Sequence, residues 1–326
     1  MSRIVLYIML ATTVCASDGY AKDIKKLLHK TDSILTAKYR RTNLDTNYIC
    51  RPETKLTLTG KVNFSGQRIR TNGVTEDGTH FSSMADADRK VTVSVGANYA
   101  GVGINLSLNP GKLAGKYHDF ELNFSKYGNT WGGEISYQDA KNFNGWYEME
   151  GVGKQDIPND VLRLRTLNIN LYYAFNHRKF SYPAAFSQTY IQRRSAGSFL
   201  LAMSYQGQRG DAESPKGEVK LRINNLGIGG GYGYNYVPSE KWLLHISAMP
   251  TFVVYSQTSA TMDGKHTPLH YSFPEVIITG RGAVVRNFSR SFMGMSMVFN
   301  FSNAGDSKNE IRNIKWLVHA FYGIRL

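Results

Sequence analysis

The sequence predicts an all-β fold: an antiparallel, transmembrane-type β-barrel of about twelve strands with a short N-terminal amphipathic helix. Three observations lead there. Apolar and polar residues alternate with period two, over runs near the ~9–11 residues that a tilted strand needs to cross a bilayer. The connections between runs alternate between short and long. Aromatic residues gather near the ends of runs, at Tyr99, Tyr127, Trp131, Trp242, Tyr255 and Trp316, where interfacial girdles sit in such barrels.

Residues 1–21 read as a secretory signal peptide. Arg3 supplies the positive start, 4–14 an apolar run, and 14–16 and 19–21 small-residue cleavage sites. The run is too short for a membrane-spanning helix, which takes ~20 apolar residues. A lipoprotein would use Cys15, but Val14 before it is not small. Cleavage leaves Cys50 as the one remaining thiol, so no internal disulfide is expected. The formal net charge of +14 on an exported chain points away from nucleic acid. It points toward outer-membrane lipid, lipopolysaccharide, or an anionic small molecule or glycan.

Residues 22–50 form a helix and lead-in. Over 22–41, Ile24, Leu27, Leu28, Ile34 and Leu35 share one helical face and lysines the other. Residues 51–326 form the barrel. Alternation begins with Leu56, Leu58, Val62 and Phe64, and continues with Val91, Val93, Val95, Ala97 and Tyr99. It recurs at 102–108, 120–125 and 133–138, then in Leu167, Ile169, Leu171, Tyr173 and Phe175. Further runs cover 198–208, 221–236, 241–254, 276–287 and 291–301. The last holds Trp316, Val318, Ala320, Tyr322, Ile324 and Leu326 on one face. Short links fall at 100–101, 127–130, 237–240 and 288–290, and are expected to be periplasmic. Long loops are expected outside, at 67–89, 110–116, 141–161, 209–220, 255–274 and 302–312.

The link 176–197 breaks this rule, being long where a short turn belongs. It carries Arg178, Lys179, Arg193 and Arg194 and no acidic residue. Nearby, Gly227, Gly229, Gly231 and Gly233 leave one face of a strand without side chains, a mark of close approach by another backbone or of a bend. The expectation is a segment folded back into the lumen. Its cations would meet counter-charges from Asp119, Glu121 and Glu134, because unpaired buried charge is costly. The alternative is an extra hairpin or periplasmic flap, with the glycines allowing curvature.

Catalytic signals are sparse. His245 and Ser247 share a polar face two residues apart, and His177 lies near Ser181. A Ser–His pair can form a nucleophile, but catalysis also needs an orienting group and an oxyanion hole. His266 and His270 have Pro268 between them, so no helical metal pair forms and no metal site is expected. The glycine-rich run at 226–234 lies on a strand with no helix after it, so no dinucleotide or other cofactor is expected. Trp146 and Tyr147 suit either sugar stacking or the membrane girdle.

The stretch YYAFNHRKFSYPAAFSQTYIQRRSAGSFLL at 172–201 resembles the central motif of a Bacteroidota family known as domain of unknown function 4421. DTNYI at 45–49, NYAGVGINLSL at 98–108, SKYGNTWGGEISYQ at 125–138 and GYGYNYV at 231–237 agree with it. The run 142–147 departs from the family's tighter Lys-Gly-aromatic pattern. The resemblance implies an outer-membrane barrel-like fold and carries no activity. The resulting expectation is a monomeric, non-enzymatic protein of the outer membrane: a narrow or plugged channel, or an anion-binding barrel. A lipid- or lipopolysaccharide-modifying enzyme and a structural or adhesive surface protein stand as alternatives.

Overall fold

In the computed structural model, the described residues are 30, 33, 43–75, 78–87, 90–99, 102–108, 120–141, 143–157, 161–214, 217–262, 265–269, 275–305 and 308–326. The signal peptide and nearly all of the helix predicted over 22–41 lie outside them. Lys30 and Ser33 are helical and exposed. The predicted loop 110–116, Asp119, Asn142 and His270 also lie outside. The backbone of Glu121 and His266 is described but their side chains are not.

The strands, in order, are β1 (Ile49–Cys50), β2 (Leu56–Val74), β3 (His80–Ala87), β4 (Lys90–Tyr99), β5 (Val102–Leu108) and β6 (Phe120–Lys126). Next come β7 (Trp131–Ala140), β8 (Phe143–Met149), β9 (Gly153–Ile157), β10 (Leu162–Ala174), the short helix α1 (Tyr182–Phe186) and β11 (Ile191–Gln192). The chain finishes with β12 (Ala196–Ser214), β13 (Gly217–Ser239), β14 (Trp242–Met262), β15 (Lys265–Leu269), β16 (Val276–Asn287), β17 (Ser291–Gly305) and β18 (Glu310–Arg325).

One 16-stranded sheet holds all of these except β1 and β11, which pair with each other. Its spine runs β6-β7-β10-β12-β13-β14-β16-β17-β18-β2, and every pairing is antiparallel. From β2 the sheet forks: residues 56–65 pair with β4, and 68–74 pair with β3. Beyond β4 lies β5, and beyond β3 lie β8 and β9. The sheet is strongly curved. Arg281 on β16 reaches Glu134 on β7 at 2.6 Å, although four strands separate β16 from β7 in the hydrogen-bonded order. Lys315 on β18 likewise donates to Gln138 on β7 at 2.7 Å.

The two faces follow the predicted alternation. On β10, Leu171 and Tyr173 are exposed while Tyr172 and Ala174 are buried. On β14, Leu244, Ile246 and Val254 are exposed while His245, Ser247 and Thr251 are buried. Much of the polarity is therefore inverted relative to a water-soluble sheet. Ile246 is 70 % exposed and Phe199 71 %, while Asn225 and Thr251 are at 0 %. The concave face turns apolar toward the end where 175–195 folds, with Leu200, Leu243, Val285, Phe292 and Phe321 buried together there.

Five of the predicted long loops are instead strand. The stretches at 67–89, 141–161, 209–220, 255–274 and 302–312 are largely taken up by β2–β3, β8–β9, β12–β13, β14–β15 and β17–β18, each pair hydrogen-bonded antiparallel. The hydrophobic alternation stops at these stretches, but the backbone ladder does not. Cross-strand charge pairs replace apolar contacts: Arg68–Asp86 at 2.6 Å, Arg163–Asp139 at 2.6 Å and Arg165–Asp211 at 3.8 Å. We call this the hairpin end, and the opposite one the segment end.

Candidate functional site

The inserted segment begins with a turn at Asn176, whose carbonyl accepts from the amides of Lys179 and Phe180. Helix α1 follows. Ser181 caps it, accepting from the Ala184 amide at 3.3 Å, and Pro183 sits in the first turn, where no amide is needed. Gln188, at φ 53°, ends it. All five residues of α1 are buried, and so are Phe180, Ser181, Gln188, Thr189 and Gln192. The lead-in chain straps this unit down. The Asp45 amide donates to the Arg178 carbonyl at 3.0 Å, and β1 pairs with β11 through Ile49↔Gln192.

A continuous hydrogen-bonded network joins the segment to the wall. Asn235 on β13 donates through Nδ2 to the Ser181 carbonyl and to Gln192 Oε1, both at 2.9 Å. Its Oδ1 lies 2.6 Å from His245 Nδ1, and His245 Nε2 lies 3.0 Å from Ser247 Oγ. Ser247 Oγ is in turn 2.8 Å from the Tyr182 hydroxyl. Both Asn235 N–H donors are committed to carbonyl oxygens, so its Oδ1 must accept. In the neutral ring the His245 proton then sits on Nδ1. Nε2 accepts from Ser247, and Ser247 accepts from Tyr182. Every member is at most 5 % exposed. Burial raises the Tyr182 hydroxyl above its ordinary pKa, opposed by the positive charge of Arg281 and the Ser247 hydrogen bond.

Ser247, His245 and Asn235 thus have the order of a hydroxyl, a ring base and an orienting amide oxygen. The hydroxyl is covered, however. It is bonded to Tyr182, and the imidazole is packed by Phe180, Tyr182 and Phe186, with ring centroids 5.0–6.0 Å away. In this arrangement the pair holds the segment and faces no solvent. His177 lies in the Asn176 turn and makes no hydrogen bond to either residue; its Nδ1 is buried without a partner among the described residues.

A buried ion pair lies beside this network. Arg281 donates from both terminal nitrogens to the two Glu134 oxygens, each at 2.6 Å, and Tyr127 hydrogen-bonds the same carboxylate. The guanidinium lies within 5.9 Å of the Tyr127, Tyr182 and Phe186 rings, so α1 covers the pair. A cavity of about 40 Å³ separates Ser187 and Gln188 from Lys61, Asn98 and Ser125 on the wall. That is room for a few waters and no more.

This arrangement corrects the sequence expectation for the cations. Arg178, Lys179, Arg193 and Arg194 are all exposed at the segment end rather than buried against Glu121 and Glu134. The physical reason is desolvation: four cations carried inside would need four counter-charges, and Glu134 is already paired with Arg281 from the wall. The uncharged centre FSYPAAF enters instead, and the flanking cations stay in solvent. The glycines divide too. A Cβ on Gly233 would lie 2.9 Å from Phe180 Cζ, so this position admits the segment. Gly229 and Gly231 abut the β14 backbone near Pro250, and Gly227 meets Thr251. Asn235 and Arg281 were missed. Asn235 continues the glycine face by parity, and Arg281 is a charge at a position whose neighbours on the same face, Thr279 and Ala283, are neutral.

The family model described as "Domain of unknown function (DUF4421)" matches residues 43–325. The chain belongs to this family. Among solved structures, the outer membrane protease OmpT of Escherichia coli is similar at 7 % identity and TM-score 0.47, covering 84 % of this chain and 97 % of that one. The transport unit of the Escherichia coli autotransporter AIDA-I is similar at 11 % identity and TM-score 0.36, covering 88 % and 96 %. OprG of Pseudomonas aeruginosa follows at 10 % identity and TM-score 0.29, covering 85 % and 97 %. At this level neither proteolysis nor transport passes to this chain. Among curated proteins, none matches it.

Proposed function

We propose that this DUF4421 chain is an outer-membrane β-barrel protein whose lumen is plugged by its own 176–197 segment. The observation that carries this reading is the inverted polarity of the strands, with apolar side chains exposed around the sheet and polar ones buried within it. Lipid outside and a filled polar interior account for both faces. Pairing of β3 with β8 supports closure: β8 comes after β7 in the chain, so the path through β10, β14 and β2 returns to the same stretch. At the segment end β5 and β6 would complete a wall of about twelve strands.

The plug is the neutral centre of the segment, latched by Tyr182, Asn235 and Gln192. The exposed cations Arg178, Lys179, Arg193 and Arg194 would give the mouth an anion preference once the plug moves. The barrel is thus a gate closed at rest. The test compares wild type with a deletion of 178–194 in planar bilayers, each first checked for heat-shifted gel migration as a sign of folding. The expected result is a silent wild type and a conducting deletion. Equal conductance from two folded proteins overturns the plug, and failure of both to insert overturns the barrel.

A further inference from the structure

At the segment end, one corner of the outer face carries a cation in an unusual setting. Arg286 on β16 pairs across the ladder with Trp242 on β14. Its guanidinium lies 5.3 Å from the Trp242 ring centroid and 5.1 Å from that of Phe288. Both rings lie within cation–π distance of it. Its Nε is buried and has no hydrogen-bond partner. No ion pair reaches Arg286 among the described residues, nor does one reach Lys241 or Arg290, which flank it in the adjoining turns and are exposed. Among the described residues of the two turns, 237–241 and 288–290, Glu240 is the one carboxylate. The neighbouring outward positions Leu244 and Val284 are apolar and exposed.

A guanidinium packed beside two rings, whose two terminal nitrogens make no hydrogen bond among the described residues, offers paired donors to an oxyanion that accepts two parallel hydrogen bonds. The apolar surface beside it suits acyl chains, and the aromatic pair marks the depth of a membrane interface. We propose that Arg286, held by Trp242 and Phe288 and flanked by Lys241 and Arg290, binds the phosphate of an anionic glycerophospholipid. The inference rests on the barrel reading, since it needs this outer face in a bilayer. An exposed cation at a membrane surface favours anionic lipid by about fivefold. The three together select the anionic headgroup over a zwitterionic one that carries the same phosphate.

Native mass spectrometry of the full chain, refolded in detergent micelles with equal phosphatidylglycerol and phosphatidylcholine, tests it. Wild type is expected to retain phosphatidylglycerol in excess, by about fivefold or more. Arg286→Gln is expected to lose that excess. Arg286→Lys, which keeps the charge but not the paired donors, should retain only part of it. Lys241→Gln with Arg290→Gln is expected to reduce it while leaving Arg286 bound. Inorganic phosphate at millimolar concentration should not displace the lipid. Displacement would assign the site to free phosphate and overturn the lipid reading. Unchanged retention in Arg286→Gln, or equal retention of the two lipids by a folded chain, overturns this inference alone. A chain that does not fold into micelles overturns the barrel reading and this one with it.

Discussion

The two ends of the molecule handle charge in opposite ways. At the hairpin end, cations meet carboxylates across the ladder in Arg68–Asp86 and Arg163–Asp139 and along one strand in Arg312–Glu310, all at least partly exposed. At the segment end, Arg178, Lys179, Arg193, Arg194, Lys241, Arg286 and Arg290 make no ion pair among the described residues. Beneath them, one desolvated pair, Arg281–Glu134, is sealed under α1. The hairpin end is held by backbone pairing with weak electrostatic trim. The segment end is held by buried packing and by the Asn235–His245–Ser247–Tyr182 hydrogen-bond chain, and it leaves its surface charge unneutralised. Charge at the first end is structural, and at the second it is available to a ligand.

The largest test of this contrast is Glu134→Ala, which leaves Arg281 charged and buried. It should cost about 3–5 kcal/mol in urea unfolding of the micelle-refolded protein. Gly233→Leu comes next, at about 1–3 kcal/mol, because the added side chain meets Phe180 at the segment–wall contact. Phe180→Ala in the same chain should recover part of that loss, and no recovery would deny the contact. Asn235→Ala should also cost about 1–3 kcal/mol, by stranding the Ser181 carbonyl and the His245 N–H.

A graded effect follows from Tyr182. Its folded hydroxyl titrates above the ordinary 10.0, so the unfolded chain loses this proton first as pH rises. The contribution is whole below pH 10.0 and is lost as pH climbs through the folded value. Segment release, followed by proteolysis at the exposed cations, should therefore accelerate in alkali, and Tyr182→Phe should flatten that slope. The smallest change belongs to the hairpin end. Asp86→Asn breaks an ion pair whose side chains are 47 % and 31 % exposed, and should cost at most about 1 kcal/mol. A cost equal to that of Glu134→Ala would erase the distinction between the ends.

Much of the fold was legible because period two is a strong signal when the two faces see different solvents. Leu171, Tyr173, Leu244 and Ile246 fall on the exposed face as their spacing required. The hairpin extensions were not legible, because strands that leave the apolar environment keep their pairing and lose their alternation. The ladder of β2 with β3 is written in Arg68, Asp86 and the hairpin tip, not in hydropathy. In the segment, length and charge drew attention to the right stretch, but the cations were assigned to the wrong side. The burial cost of a guanidinium, applied residue by residue, separates FSYPAAF from its flanks. The partners of the buried groups stayed hidden because they are distant in sequence: Glu134 with Arg281, and Ser181 with Asn235.

The seam between β2 and β18 has a kinetic meaning. It joins Thr57 to Arg325 and Asn72 to Glu310, so every rung spans most of the chain. Contacts this remote require a large loop to close before any is rewarded, which slows folding far more than it alters stability. Until that seam zips, β2 and β18 both present a long unpaired edge, open to other chains. Assembly of this protein is thus most vulnerable to aggregation at its last step, and anything that shields those two edges would act there as a chaperone.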